Sequence, residues 1–175
     1  MSEPVNESGR ESGHEFERDF ERLKSQRAIY AARTPLGLAS FDCFARAIGD
    51  TCAIYVDDAA ARAAGYEQAI APPTFVCETV QYSRREPDEN GYIGHAWDFP
   101  MEGWQRVRGG NAYRFHQPAV ASDVLHVEWS VESVRATSDS RGKPMWVVVQ
   151  LALYRNQRGE LLAENRETIV YRRSA

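Results

Sequence analysis

The run MWVVVQLALY, residues 145–154, decides the fold. It holds no Gly or Pro and is rich in β-branched and aromatic side chains, which reads as a strand. Its alternate residues Met145, Val147, Val149, Leu151 and Leu153 predict the buried face. Working outward, SDSRGKP (138–144) is a turn cluster, and before it VLHVEWSVESV (124–134) alternates Leu125, Val127, Trp129 and Val131. On the other side NQRGE (156–160) is a second turn, followed by a third strand, LLAENRETIVYR (161–172). Long strands joined by short turns predict an antiparallel meander. GGNAYRFHQPAVASD (109–123) predicts one more strand and its exit loop.

The first half of the chain reads as helices and loops. Residues 1–13 carry no apolar pattern and predict a flexible tail. From His14, Phe16, Phe20 and Leu23 fall at i, i+4 and i+7, which predicts an amphipathic helix to about Ala32, ended by RTPLG (33–37). SFDCFARAIGD (40–50) places Phe41, Phe44, Ala45 and Ile48 on one helical face and Gly49 at its end. DDAAARAAGY (57–66) repeats the logic, with an Asp start and Gly65 as the stop. In IAPPTF (70–75) two prolines feed another helical stretch, TFVCETVQYS (74–83), the one placed to cross the sheet. Residues 84–108 read as an irregular segment rich in aromatics. Helices first and a long-stranded sheet last give an α+β layout, with one domain over residues 14–175.

Composition narrows the partners. Over 175 residues the net charge is −4, and 26% of residues are charged with the signs interspersed, so no basic surface for nucleic acid is expected. No apolar run approaches the roughly 20 residues of a membrane span. The N-terminal stretch MSEPVNESGRESGHEF is polar and acidic, unlike a signal peptide, and the expectation is a cytoplasmic protein. Cys43, Cys52 and Cys77 form no C-x-x-C pair, have no His at ligand spacing, and read as buried thiols. A nucleophilic Cys52 beside Asp50 is the lesser reading.

Three sequences in this order, FARAIGDTCAIYVDDAAARAAGY (44–66), AIAPPTF (69–75) and RGGNAYRFHQPAVASDVLHVEWSVESV (108–134), resemble the MaoC-like (R)-specific enoyl-CoA hydratases and dehydratases, in their N-terminal, fungal-synthase-like form. The resemblance spans roughly residues 16–172. It implies a hot-dog fold, a curved antiparallel sheet wrapped around a long central helix. It also implies pairing of two hot dogs edge to edge, as a homodimer or with a second subunit. The implied substrate is an acyl-CoA or acyl-carrier-protein thioester, and the reaction is reversible addition of water across a 2,3-double bond, with no metal or redox cofactor.

Active members of that family carry Gly-Asp-x-Asn-Pro-x-His, whose Asp and His position and activate the water. Here Gly49 and Asp50 match, Cys52 and Ala53 stand where Asn-Pro would be, and Tyr55 stands where the His would be. A phenol with an ordinary pKa near 10 is a poor general base at neutral pH. The resemblance therefore implies a degenerate hot dog, with Asp50 and Tyr55 in a remnant pocket, that shapes the acyl tunnel beside an active partner. Two other readings stay open: a non-enzymatic acyl-thioester-binding protein, and a thioesterase using Asp50 or Glu78. His116, in FHQP, is the remaining acid/base candidate, against a structural role at a strand exit. Tyr82, Trp97, Phe99 and Trp104 read equally as an acyl channel and as core cover. Arg106 and Arg108, before Gly109 and Gly110, are placed to meet a CoA phosphate, against ordinary solvated arginines. His95 reads as a surface loop residue, His126 as exposed, and His14 as solvated near the tail.

Overall fold

The computed structural model describes residues 18, 22, 24–89, 91–97 and 104–173. Strands β1 (Arg27–Ala31), β2 (Trp104–Phe115), β3 (His126–Ser138), β4 (Pro144–Arg155) and β5 (Leu161–Arg173) form one antiparallel sheet in the order β1-β3-β4-β5-β2. The predicted meander is β3–β4–β5. Its first turn closes on Asp139, whose Oδ1 accepts from the backbone N–H groups of Arg141 and Lys143 at 2.8 Å each. The second closes on Asn156, whose N–H reaches the Glu160 carbonyl at 3.1 Å. Below this turn Asp123, almost fully buried, accepts from Val120 N–H at 2.9 Å and from the Asn156 side chain at 3.3 Å.

Between β1 and the far edge strand β2 lie the helices α1 (Leu38–Ile48), α2 (Asp58–Ala63) and α3 (Phe75–Glu78), with a 3-10 turn at Ala53–Tyr55. Phe41 of α1 and Phe75, Val76 and Cys77 of α3 pack against Leu125, Val127, Trp129, Ala152, Tyr154 and Leu162 of the sheet. Phe41 and Phe75 meet edge to face at 4.9 Å. Asp57 caps α2 as its sequence predicted, accepting from Ala59 N–H at 2.7 Å and Ala60 N–H at 3.4 Å. Asp57→Ala is expected to cost about 1 kcal/mol in denaturant unfolding, the usual loss for an N-cap.

Four expectations are corrected. On β4 the buried residues are Trp146, Val148, Gln150, Ala152 and Tyr154, while Met145, Val147, Val149, Leu151 and Leu153 are only half-buried. Both faces of β4 are apolar, so the neighbours decide. Leu151 lies between Ser130 and Arg166, and Leu153 between Glu128 and Glu164, whereas Ala152 and Tyr154 lie opposite Trp129 and Val127. The N-terminal helix does not reach Ala32: Arg18, Arg22 and Lys24 are helical, but RAIYA is strand β1, with Ala28 and Tyr30 against the core and Ile29 out. The tail, His14, Phe16, Phe20 and Leu23 lie outside the described residues. The helix after the prolines is a single turn, Phe75–Glu78, and the chain leaves it through Val80 at φ 46, which no right-handed helix continues. Cys43 and Cys52 are exposed, the first on the outer side of α1 and the second in a turn, so only Cys77 is buried. In addition, the segment read as irregular to residue 108 is already strand from Trp104. Among the described residues no helix is long and apolar enough to cross a membrane.

Candidate functional site

Helix α1 stops at Gly49, which takes φ 74, and Asp50 N–H turns back to the Ala45 carbonyl at 2.9 Å. The Asp50 carboxylate accepts from Cys52 N–H at 3.0 Å, a local side-chain turn. Tyr55 is buried beside Ala45 and Ile70. Burial pushes its phenol above the ordinary value, and the Asp50 charge and hydrogen bond add to the shift. The structure thus brings the two residues together as a carboxylate with a neutral phenol. That pair holds one carboxylate acceptor and no imidazole. Neither residue lines any of the three cavities described next.

The first cavity, about 270 Å³, is largely apolar, with Ile70, Pro73, Val76, Phe115 and Leu162 in its wall. Ile70 joins it to the Tyr55 cluster. His116 also lines it, but its Nε2 is held by Glu164 at 2.8 Å and its backbone N–H by the Leu162 carbonyl at 2.9 Å. Hydrogen bonds from Arg166 and then His116 hold the Glu164 carboxyl below the usual carboxylate range. His116 is therefore tied down at a strand exit.

The other two cavities share a polar stripe. Along the inner face of β4 the side chains run Trp146, Val148, Gln150, Ala152, Tyr154, and along β5 Tyr171, Ile169, Glu167, Asn165, Ala163. Gln150 and Glu167 face each other in register. Glu167, only 5% exposed, binds Arg108 Nε of β2 at 2.8 Å and accepts from Gln150 Nε2 at 3.4 Å. Asn165 donates to Asn111 Oδ1 at 3.0 Å, and the Tyr113 hydroxyl donates to Glu78. The stripe divides the core into two apolar clusters, one around Tyr154 and Trp129 and the other around Trp146 and Ile169. Buried amides and carboxylates cost stability unless paired, so a stripe across three strands calls for a reason.

A cavity of about 230 Å³, with Glu78, Tyr82, Asn111 and Trp129 in its wall, lies against the stripe. Another of about 370 Å³ is walled by His95, Trp97, Arg106 and Gln150. Tyr92, Arg108 and Glu167 belong to both. Burial pushes the Tyr92 phenol up, and the Glu167 charge adds to it. His95 is 5% exposed, not a surface residue. It stacks on Trp129 at 5.0 Å, meets Trp97 edge to face at 4.4 Å, and shares a hydrogen bond with the Tyr30 hydroxyl at 2.8 Å through Nδ1. Burial, then the Arg85 charge, lowers its pKa to about 4. His95 Nε2, Trp97 Nε1, Gln150 Oε1 and Asn165 Oδ1 have no hydrogen-bond partner among the described residues.

Of the substrate-contact candidates, Tyr82, Trp97 and Arg108 are brought together here. Gly110 sits in the β2 bulge at φ 152 and contributes conformation rather than contact. Trp104 lies apart at the start of β2, under the Arg173 guanidinium at 5.0 Å. Phe99 lies outside the described residues. His126 is exposed, as read. Sequence reading missed Tyr92, Gln150, Asn165 and Glu167. The signal for Gln150, Asn165 and Glu167 is a polar residue interrupting the even-numbered apolar series of β4 and the odd-numbered series of β5, whereas Tyr92, in the irregular segment before β2, carries none. Among the described residues no group of three His, Cys, Asp or Glu side chains could hold a metal ion.

The family model for the FAS1-like dehydratase domain region matches residues 30–165. A UPF0336 protein of Parafrankia sp. is 32% identical over 132 residues, 75% of this chain and 80% of that one. A probable enoyl-CoA hydratase alpha subunit of Thermomonospora curvata is 28% identical over 141 residues, 75% of this chain but only 43% of that protein's length. In fold, the chain is similar to the ChsH1-ChsH2 complex from Mycobacterium tuberculosis, with TM-score 0.75, 21% identity, and 93% and 94% of the two chains covered. It is also similar to a MaoC-like dehydratase from Rhodospirillum rubrum, with TM-score 0.61, 22% identity, and 86% and 92% covered.

Proposed function

The chain belongs to the FAS1-like dehydratase-region family and has its hot-dog fold, and from that premise we propose that it is the acyl-binding, catalytically degenerate subunit of an acyl-thioester hydratase/dehydratase. Hydration of a 2-enoyl thioester puts hydroxide on C3 and a proton on C2, so one group must take a proton and another return it. The observation that carries the reading is the pair at 50 and 55. Asp50 is engaged in its own turn, and its neighbour is a buried neutral phenol, not an imidazole. The three cavities described above lie elsewhere, along the α3 segment and the inner face of the sheet. This suits a subunit that holds an acyl chain while a second hot dog with the complete motif does the proton work.

Two further facts fit. The relative from Thermomonospora curvata is named as an alpha subunit, and the ChsH1-ChsH2 neighbour is a complex. The edge strand β2 leaves one side of 12 residues without a strand partner among the described residues. Such an edge is a liability that pairing removes. A cytoplasmic location, with CoA or carrier protein as the thiol, belongs to the same proposal. Its test is hydration of crotonyl-CoA followed by loss of enoyl absorbance. The purified chain alone is expected at background, with activity appearing on mixing with a hot-dog subunit carrying Gly-Asp-x-Asn-Pro-x-His. Robust hydration by the lone chain sinks the proposal.

One observation favours a second reading. Glu78 lines the 230 Å³ cavity and accepts from Tyr113, which is where a single carboxylate would serve thioester hydrolysis. That reading requires free thiol release from acyl-CoA by the lone chain, lost in Glu78→Gln. Acyl-CoA binding with neither reaction, alone or with a partner, leaves a non-enzymatic carrier.

A further inference from the structure

Resting on the acyl-thioester reading, we infer that the 270 Å³ cavity, and not the two beside the stripe, takes the hydrocarbon tail of the acyl group and sets a preferred length of roughly eight to ten carbons. Among the described residues its wall carries no Asp, Glu, Lys or Arg, and none of its residues holds a buried side-chain polar atom without a hydrogen-bond partner. The wall is graded from buried to open. Ile70, Ala71, Val76 and Ala119 are buried, whereas Tyr66 and Phe115, 37% and 45% exposed, stand with the exposed His116 and Gln117. A ligand with an apolar tail and a polar head matches that gradient, with the tail against the buried residues and the thioester toward the open side.

The other two cavities are worse places for a hydrocarbon. The 230 Å³ cavity presents Glu78, Arg108 and Glu167, and the 370 Å³ cavity presents Asp88, Arg106, Arg108 and Glu167. Methylenes laid against those groups displace their water and return no hydrogen bond. The apolar cavity imposes no such loss, and its walls are already tied together. Ile70 pairs with Val120, Ala71 N–H donates to the Ala119 carbonyl at 2.8 Å, and His116 N–H donates to the Leu162 carbonyl at 2.9 Å. Little ordering is left to be done when a chain enters. The length follows from the volume. A cavity of about 150 Å³ holds a six-carbon ring, so one of about 270 Å³ holds roughly ten carbons, and somewhat fewer where its open side is left to water.

The test is calorimetric titration of the full chain with saturated straight-chain acyl-CoA thioesters of roughly two to fourteen carbons. Affinity is expected to rise about three-fold per added methylene and to level off at roughly eight to ten carbons. Val76→Phe puts bulk at the buried end of the cavity and is expected to move that break down by about two carbons. Phe115→Ser removes an exposed apolar wall and leaves the buried core alone. It is expected to weaken the longer thioesters about ten-fold and to keep the two-carbon one within about two-fold of wild type. Thermal melts report that each variant folds, and if Val76→Phe does not, Phe115→Ser decides alone. Equal affinity at every length, a rise unbroken to the longest chain, or a length profile that no folded variant changes overturns the inference and leaves the thioester reading intact. No binding of any thioester overturns the thioester reading, and this inference with it.

Discussion

Asp50→Asn will leave hydration by the assembled pair within about three-fold of wild type, while the same change at the motif aspartate of the active partner removes about 10² to 10⁴ of it. The asymmetry follows from what Asp50 does. Its Oδ1 accepts from Cys52 N–H at 3.0 Å after a helix end closed by Gly49. Asparagine keeps that acceptor, so the turn survives. Tyr55 stays buried and neutral with or without the charge, because burial is the larger cause of its raised pKa. Nothing that the loop contributes to packing is lost, and no proton relay is broken if none runs through it. Crotonyl-CoA consumption by the reconstituted pair, measured for each variant, decides the matter. A loss of a hundred-fold or more from Asp50→Asn would make Asp50 the reacting carboxylate and remove the degenerate-subunit reading.

The meander was legible because β3, β4 and β5 carry strand-forming residues between turns closed by Asp139 and Asn156. The motif at Gly49 and Asp50 was legible because a helix stop followed by Asp is local. The face of β4 was not. MWVVVQLALY is apolar on both sides, and burial is decided across the ladder by Trp129 and Val127 on one face and Glu128, Arg166 and Glu164 on the other. Taking the wrong face hid Gln150, and with it the stripe to Glu167 and Arg108. β1 was hidden for a related reason: RAIYA is too short to show a period against the charged, phenylalanine-spaced stretch before it, and it becomes a strand by pairing with β3. His95 lies in a loop as read, but it looked like a surface residue because two of its partners, Tyr30 of β1 and Trp129 of β3, come from distant stretches of chain.

His95 also sets an expected pH dependence. In the folded chain its pKa is lowered from 6.5 to about 4, first by burial and then by the Arg85 charge. Above pH 6.5 the imidazole is neutral in both folded and unfolded chains and contributes nothing that changes with pH. Between 6.5 and 4 the unfolded chain binds a proton that the folded chain excludes, so stability falls as the pH falls. Below 4 both states are protonated and the loss is complete. The lost stability is about 3 kcal/mol, which in a chain of this size lowers Tm by roughly 6–12 °C. Other groups titrate in the same window, Glu164 among them, so the reading is taken against His95→Gln. Glutamine offers Tyr30 an amide partner and carries no proton of its own. Melts of both proteins from pH 7 to pH 4 should diverge, with the variant gaining on the wild type by about 3 kcal/mol as the imidazole is forced to charge. Parallel curves would mean that His95 is solvated and that its stack on Trp129 and its hydrogen bond to Tyr30 do not exclude water.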